Sequence, residues 1–285
     1  NYDDIFKKYQ DTLESYYICG VDLQKKYVKL VIQLNPTLSK EIKVTLDDYV
    51  QYGLRKGITI TKEQLRSFEE HIESEQLYQR CLRKLSLKDR TIYEMRKWLK
   101  ETELADYQEV NVLIDKLIQK GYLDDERLCK EQIQALANSL YGPKQIISKL
   151  KQRGVKEDCI LACMEQSKLK EYEFALAYAT KVLRQSQKSS VIKTKNTIRN
   201  KLMTRGYSNS TIEKVLSELD YSANQENEDV LLEKLVHKAM KRYERKYRGY
   251  DLKTRIYRYC VTQGFHSEDI NAVMDRMEWS HDEDK

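Results

Sequence analysis

Four segments of the chain, RKWLKETEL, ISKLKQRGV, RNKLMTRGY and YRYCVTQGF, share one pattern that returns at offsets of 51, 52 and 58 residues. Leu99, Leu150, Leu202 and Cys260 fall in register; Leu104, Val155, Tyr207 and Phe265 follow, and Met95, Ile146, Ile198 and Ile256 precede by one helical turn. An apolar pair at i and i+4 lies on one face of a helix, so each copy supplies one core-facing stripe. Gly154, Gly206 and Gly264 stand where such a helix ends most readily in the left-handed conformation. The first copy has Glu103 there, and its turn is expected to differ. Repetition at this spacing constrains the chain to stacked helical units that touch mainly their neighbours.

Each copy sits between a longer helix before it and a shorter one after it. The periodicity predicts helices at 63–86, 90–101 and 109–120, then 125–139, 143–153 and 157–167. It continues with 170–186, 191–205 and 209–219, and with 227–247, 251–263 and 267–278. The expected architecture is mainly α: tandem three-helix repeats in an elongated curved array, preceded by a small N-terminal β-rich segment. Boundaries are expected at 1–61 for that segment, then 62–123, 124–168, 169–220 and 221–285 for four units, the last with an acidic tail. Only 2 Pro and 9 Gly interrupt the chain, and a mean hydropathy of -0.74 argues against one thick core.

The start differs from the rest. YYICGVDL and YVKLVIQL are rich in β-branched and aromatic residues, partly alternate, and are separated by the polar QKK, which suggests a hairpin. EIKVTL after Asn35-Pro36 reads as a third strand. LDDYVQYGLRKG then reads as a short helix with Asp47 and Asp48 at its positive end and Gly53 or Gly57 as its stop.

Several function classes lack support. No apolar run near 18 residues and no leader is visible, so a cytoplasmic protein with no membrane partner is expected. No phosphate loop, GxSxG or HExxH occurs, and His71, His237, His266 and His281 are far apart. The expectation is a protein without catalytic residues, metal or cofactor. Asp124, Asp125 and Glu126 have the chemistry for Mg2+ and phosphodiester cleavage, but their place before a helix favours a capping role. Cys159 and Cys163 stand one turn apart with no further ligand near in sequence, so the six cysteines read as free thiols.

The distribution of charge carries more. The net charge of +6 arises from -2 over 1–75, +4 over 76–168, +5 over 169–220 and -1 over 221–285. No acidic residue occurs between Phe174 and Ile212, while Lys181, Arg184, Lys188, Lys193, Lys195, Arg199, Lys201 and Arg205 all do. Such a block attracts polyanions in a salt-dependent way. A second run interleaves Lys241, Arg242, Arg245, Lys246, Arg248, Arg255 and Arg258 with Tyr243, Tyr247, Tyr250, Tyr257 and Tyr259. Arg grips phosphates or carboxylates; Tyr either stacks on unpaired bases or packs between units. Three-helix units with short turns also suit helix-turn-helix DNA readers, although few Asn or Gln are placed to read base edges.

LDDYVQYGLRKG, CLRKLSLKDRTIYEMRKWL, LIDKLIQKGYLDDERL and YGPKQIISKLKQRGV resemble the RecX family of bacterial regulators of the recombinase RecA. GYLDD followed by YGP and then RGV is the most specific part, and the later units continue the likeness more weakly. The resemblance implies a non-enzymatic monomer that binds RecA filaments on single-stranded DNA, with duplex DNA as a further ligand. It also implies seating in the filament groove and inhibition of ATPase and strand exchange. It carries contact roles to Lys144, Lys149 and Arg153. Leu128 departs from the aromatic common in the family, and the fourth unit and β-rich start mark a long version.

Overall fold

The computed structural model describes residues 12–103, 105–187, 189–277 and 279. The chain divides into two compact units, Asn1–Asp124 and Asp125–Lys285. Among the described residues no helix is long and apolar enough to cross a membrane.

The first unit opens on an antiparallel sheet. β1 (Ser15–Leu23), β2 (Val28–Asn35), β3 (Leu38–Val44) and β4 (Thr59–Thr61) lie in the order β3-β2-β1-β4. Alternation along β2 buries Val28, Leu30, Ile32 and Leu34 on one face, as the two-residue period of a strand requires. The three expected strands are present. β4 was not expected, because three residues are too few for alternation to show. Between β3 and β4 lies α1 (Leu46–Gln51), where the Asp48 N–H donates to the Thr45 hydroxyl at 3.0 Å.

Helix α2 (Lys62–Leu87) starts with a reciprocal cap between Thr61 and Gln64 and serves two cores. Leu65 and Phe68 pack under the sheet. Leu77, Tyr78 and Cys81 pack with Met95 and Leu99 of α3 (Ile92–Glu101) and with Val110, Leu113, Ile114 and Leu117 of α4 (Tyr107–Gln119). The turn after α3 does differ from the glycine turns: Thr102 is right-handed, and Glu103 accepts from Arg80 Nε at 2.9 Å. Leu104 of the repeat pattern lies outside the described residues.

The second unit is helical throughout. Its first triplet is α5 (Asp125–Asn138), α6 (Pro143–Gln152) and α7 (Glu157–Ser167), and its second is α8 (Glu171–Gln185), α9 (Val191–Arg205) and α10 (Asn209–Glu218). After a five-residue α11 (Ser222–Glu226) come α12 (Glu228–Tyr243), α13 (Gly249–Thr262) and α14 (Ser267–Arg276). Each triplet has its own apolar cluster, and Ile146, Leu150, Ile198, Leu202, Ile256 and Cys260 of the middle helices are all within 1% of full burial. Gly154, Gly206 and Gly264 have φ of 78°, 88° and 87°, the left-handed ends that the pattern predicts. Asp125 and Glu126 occupy the first turn of α5.

Two departures have clear causes. Helix α12 was expected to reach 247 but stops at Tyr243, where the Tyr243 and Tyr247 rings meet edge-on at 6.4 Å. Helix α11 was not expected; it delivers the buried Asn224, whose Nδ2 lies 2.9 Å from the Ser186 and Ser189 carbonyls and 3.1 Å from Thr194 Oγ1. That side chain fastens the loop before α9.

Successive triplets of the second unit meet at a recurring joint, in which the start of one middle helix sits on the end of the next. The Gly142 N–H donates to the Arg205 carbonyl at 2.7 Å, and the Lys144 N–H to the Gly206 carbonyl at 3.0 Å. Pro143 between them has no N–H to satisfy. Donors that α6 leaves unpaired thus meet acceptors that α9 leaves unpaired, positive end on negative end. At the next joint Ser190 Oγ donates to the Gln263 carbonyl at 3.0 Å and Lys193 Nζ to Gln263 Oε1 at 2.6 Å.

Candidate nucleic-acid interface

The cations predicted from the sequence divide into those used inside the protein and those left to solvent. Arg205 at the end of α9 lies 4.3 Å from the centre of the Tyr141 ring and 4.8 Å from that of Tyr178. Hydrogen bonding to Tyr178 raises its pKa against the opposing effect of burial. Arg199 forms a fork with Glu213, Nε to Oε1 at 2.9 Å and a second nitrogen to Oε2 at 3.1 Å. That pairing raises the Arg199 pKa and lowers that of Glu213. Lys149 lies 4.7 Å from the centre of the Tyr141 ring, and Lys195 lies 4.8 Å from that of Tyr221. Arg205 and Lys193 thus reach across to a neighbouring triplet, while Arg199, Lys149 and Lys195 brace their own.

The remaining candidates lie on the middle and preceding helices of successive triplets. Lys144 on α6, Lys201 on α9, Lys241 on α12 and Arg258 on α13 are exposed and form no ion pair among the described residues, and Arg245 just after α12 is the same. Arg153 is half-buried at the end of α6. Arg242 lies 5.6 Å from the Tyr243 ring centre and Arg255 lies 3.9 Å from that of Tyr247. Arg248 donates to the carbonyls of Glu244 and Tyr247. Lys188 lies outside the described residues.

The tyrosines mostly serve packing. Tyr243, Tyr247, Tyr257 and Tyr259 line the core of the last triplet, and Tyr257 donates to Ser267 Oγ at 2.8 Å. Tyr250, at 83% exposure, presents its ring to solvent.

A cleft of about 200 Å³ opens at the joint between the last two triplets, lined by Ser190, Lys193, Lys234, Lys238 and Gln263. Lys234 and Lys238 are one turn apart on α12 and exposed. Sequence reasoning singled out neither: Lys238 opens the second basic run and Lys234 lies one turn before it, and the signal available was their i, i+4 spacing. Three ammonium groups around one concavity raise the local concentration of phosphate-bearing chains. Glu126 of the acidic cluster is paired with Lys130 at 2.6 Å.

Two clusters escaped the sequence reading because their members are far apart in the chain. His71 Nδ1 lies 2.9 Å from a carboxylate oxygen of the buried Asp48, tying α2 to α1. Cys129 of α5 stands beside Cys159 and Cys163 of α7, so the pair has a third thiol after all.

No protein-family model matches the chain. It is 26% identical over 259 residues to a protein of Streptococcus gordonii named Regulatory protein RecX, covering 88% of this chain and 96% of that one. Proteins of the same name from Bacillus licheniformis and Lactococcus lactis subsp. cremoris are 28% identical over 81% of this chain and 29% identical over 67%; the matches cover 88% and 72% of those relatives. The fold superposes on a solved structure, Crystal structure of regulatory protein RecX, with a TM-score of 0.60 and 23% identity, covering 71% of this chain and 100% of that one. Over most of its length the chain is thus similar to several proteins named Regulatory protein RecX, and it shares the fold of a solved structure of that name.

Proposed function

We propose that the protein is a non-enzymatic modulator of the RecA recombinase, acting as a monomer in the cytoplasm. It binds the RecA filament on single-stranded DNA, lies in the filament groove and lowers ATP hydrolysis and strand exchange. One observation carries this reading. Cations without an ion pair among the described residues recur on successive triplets, at Lys144, Lys201 and Lys241, while hydrogen bonds between helix ends fix the triplets to one another, backbone to backbone at one joint and through Ser190 and Lys193 at the next. Units locked in this way offer several weak contacts at a set spacing, and such contacts act together through effective concentration. A ligand that fits one filament state better than another shifts the population by that difference, about 1.4 kcal/mol for each tenfold ratio. No reacting group is needed for inhibition.

The test is DNA-dependent ATP hydrolysis by a cognate recombinase with increasing amounts of this protein. The rate is expected to fall, and the fall to weaken with salt. Replacing Lys201, Lys241 and Arg245 by Gln is expected to reduce the salt slope by about 0.7 for each lost single-strand phosphate contact. An unchanged rate at every salt concentration defeats the proposal. Tight, sequence-selective binding to duplex DNA with recombinase absent would instead favour a helix-turn-helix-like DNA-binding protein, a reading supported by the short turns between the helices.

A further inference from the structure

The three thiols of the first helical triplet take no part in the reading above. The Sγ atoms of Cys129, Cys159 and Cys163 all lie within 4.8 Å of one another. Cys159 and Cys163, one turn apart, share a face of α7, and α5 supplies Cys129 from opposite. Cys129 and Cys163 are buried and Cys159 is half-buried, so the cluster is walled by protein and open on one side. The Cys163 thiol is also within reach of the Glu126 carbonyl, at 3.9 Å.

We propose that Cys129, Cys159 and Cys163 form a binding site for one thiophilic cation of the Zn2+ class, held by three thiolates with a fourth position on the side of Cys159. Zinc–sulfur bonds of about 2.3 Å place tetrahedral ligands about 3.8 Å apart. A cluster already within 4.8 Å reaches that spacing by side-chain rotation, with both helices in place. Asp125 and Glu126, in the acidic first turn of α5, add favourable charge near Cys159. In the cation-free protein burial, followed by hydrogen bonding to Cys163, pushes the Cys129 thiol up to about 12. Cation binding displaces a proton from each thiol that it takes up as a thiolate. Three sulfurs meeting at one point go beyond what core filling asks for, since a single cysteine already packs as a small apolar residue.

The experiment uses the full chain, kept reduced with a phosphine, and Co2+ as a coloured stand-in for Zn2+. One equivalent is expected to give a near-ultraviolet sulfur-to-cobalt charge-transfer band with the visible bands of a tetrahedral site, and one equivalent of Zn2+ to bleach both. Cys159→Ser, at the half-buried position, is expected to keep the helical circular dichroism while its affinity falls by more than the roughly tenfold lost when only an outer partner is removed. Zn2+ should also raise the Tm of the parent protein and leave that of Cys159→Ser where it was. Absence of the charge-transfer band in the reduced parent overturns the proposal. So does a band that persists unchanged in Cys159→Ser and in Cys129→Ala.

Discussion

The two joints inside the helical second unit do the same job with different materials. At the first, glycine stands on both sides: a Cβ on Gly142 would come 2.5 Å from the Gly206 carbonyl carbon, and one on Gly206 would come 2.4 Å from the Gln145 nitrogen. Backbone meets backbone there, and nothing can give. At the second, a Cβ on Gly264 would meet the Ser190 hydroxyl at 2.9 Å and the Lys193 nitrogen at 3.1 Å. A side chain mediates that contact and can adjust. One geometric task, seating a helix start on a helix end, is thus met by bare approach in one copy and by a hydroxyl in the other.

The largest effect should come from Gly206→Ala. A left-handed φ costs an alanine about 1–2 kcal/mol, and the forced contact adds about 1–3 kcal/mol, so a loss of roughly 3–4 kcal/mol in urea unfolding is expected. Gly264→Ala shares the φ but meets a softer neighbour, and roughly 2 kcal/mol is expected. Equal losses for the two would remove the distinction between the joints. A smaller effect is expected of Ser190→Ala. Its Oγ donates to the Gln263 carbonyl and accepts from the Lys193 N–H at 3.3 Å, and losing such a cap costs about 1 kcal/mol.

The smallest effect is electrostatic and lies away from the joints. Arg199 holds the Glu213 carboxyl below the ordinary carboxylate range. A lowered folded-state pKa means that the pair stabilises above the ordinary value and that this contribution fades as pH falls through the lowered one. Acid titration followed by circular dichroism should therefore show Arg199→Gln differing from the parent at neutral pH and converging on it in acid. A difference that grows in acid would contradict the pairing.

The apolar stripe and the terminal glycines were legible because both follow from local rules: an i, i+4 period and a left-handed stop. Ile146 with Leu150 and Ile198 with Leu202 needed no knowledge of neighbours, and their burial followed. The other half of each joint was not legible. Gly142-Pro143 and Ser190 look like unrelated helix starts, and what they share is only the helix end against which they rest. The basic block was legible as a block, but the role of each member was not. Arg199 meets Glu213 fourteen residues away, and Arg205 reaches Tyr141 in the preceding triplet. Cys129 joined Cys159 and Cys163 only once α5 and α7 were packed side by side.

Both joints point the same way along the chain, each triplet offering a beginning to its successor and receiving one from its predecessor. A head-to-tail contact of this kind does not close on itself as a two-fold contact does. Its geometry sets no limit on the number of members, and removing a terminal triplet leaves the remaining seams intact. Reach is then an independently adjustable property: a lineage can lengthen or shorten the molecule to match the span it must cover without redesigning any internal contact.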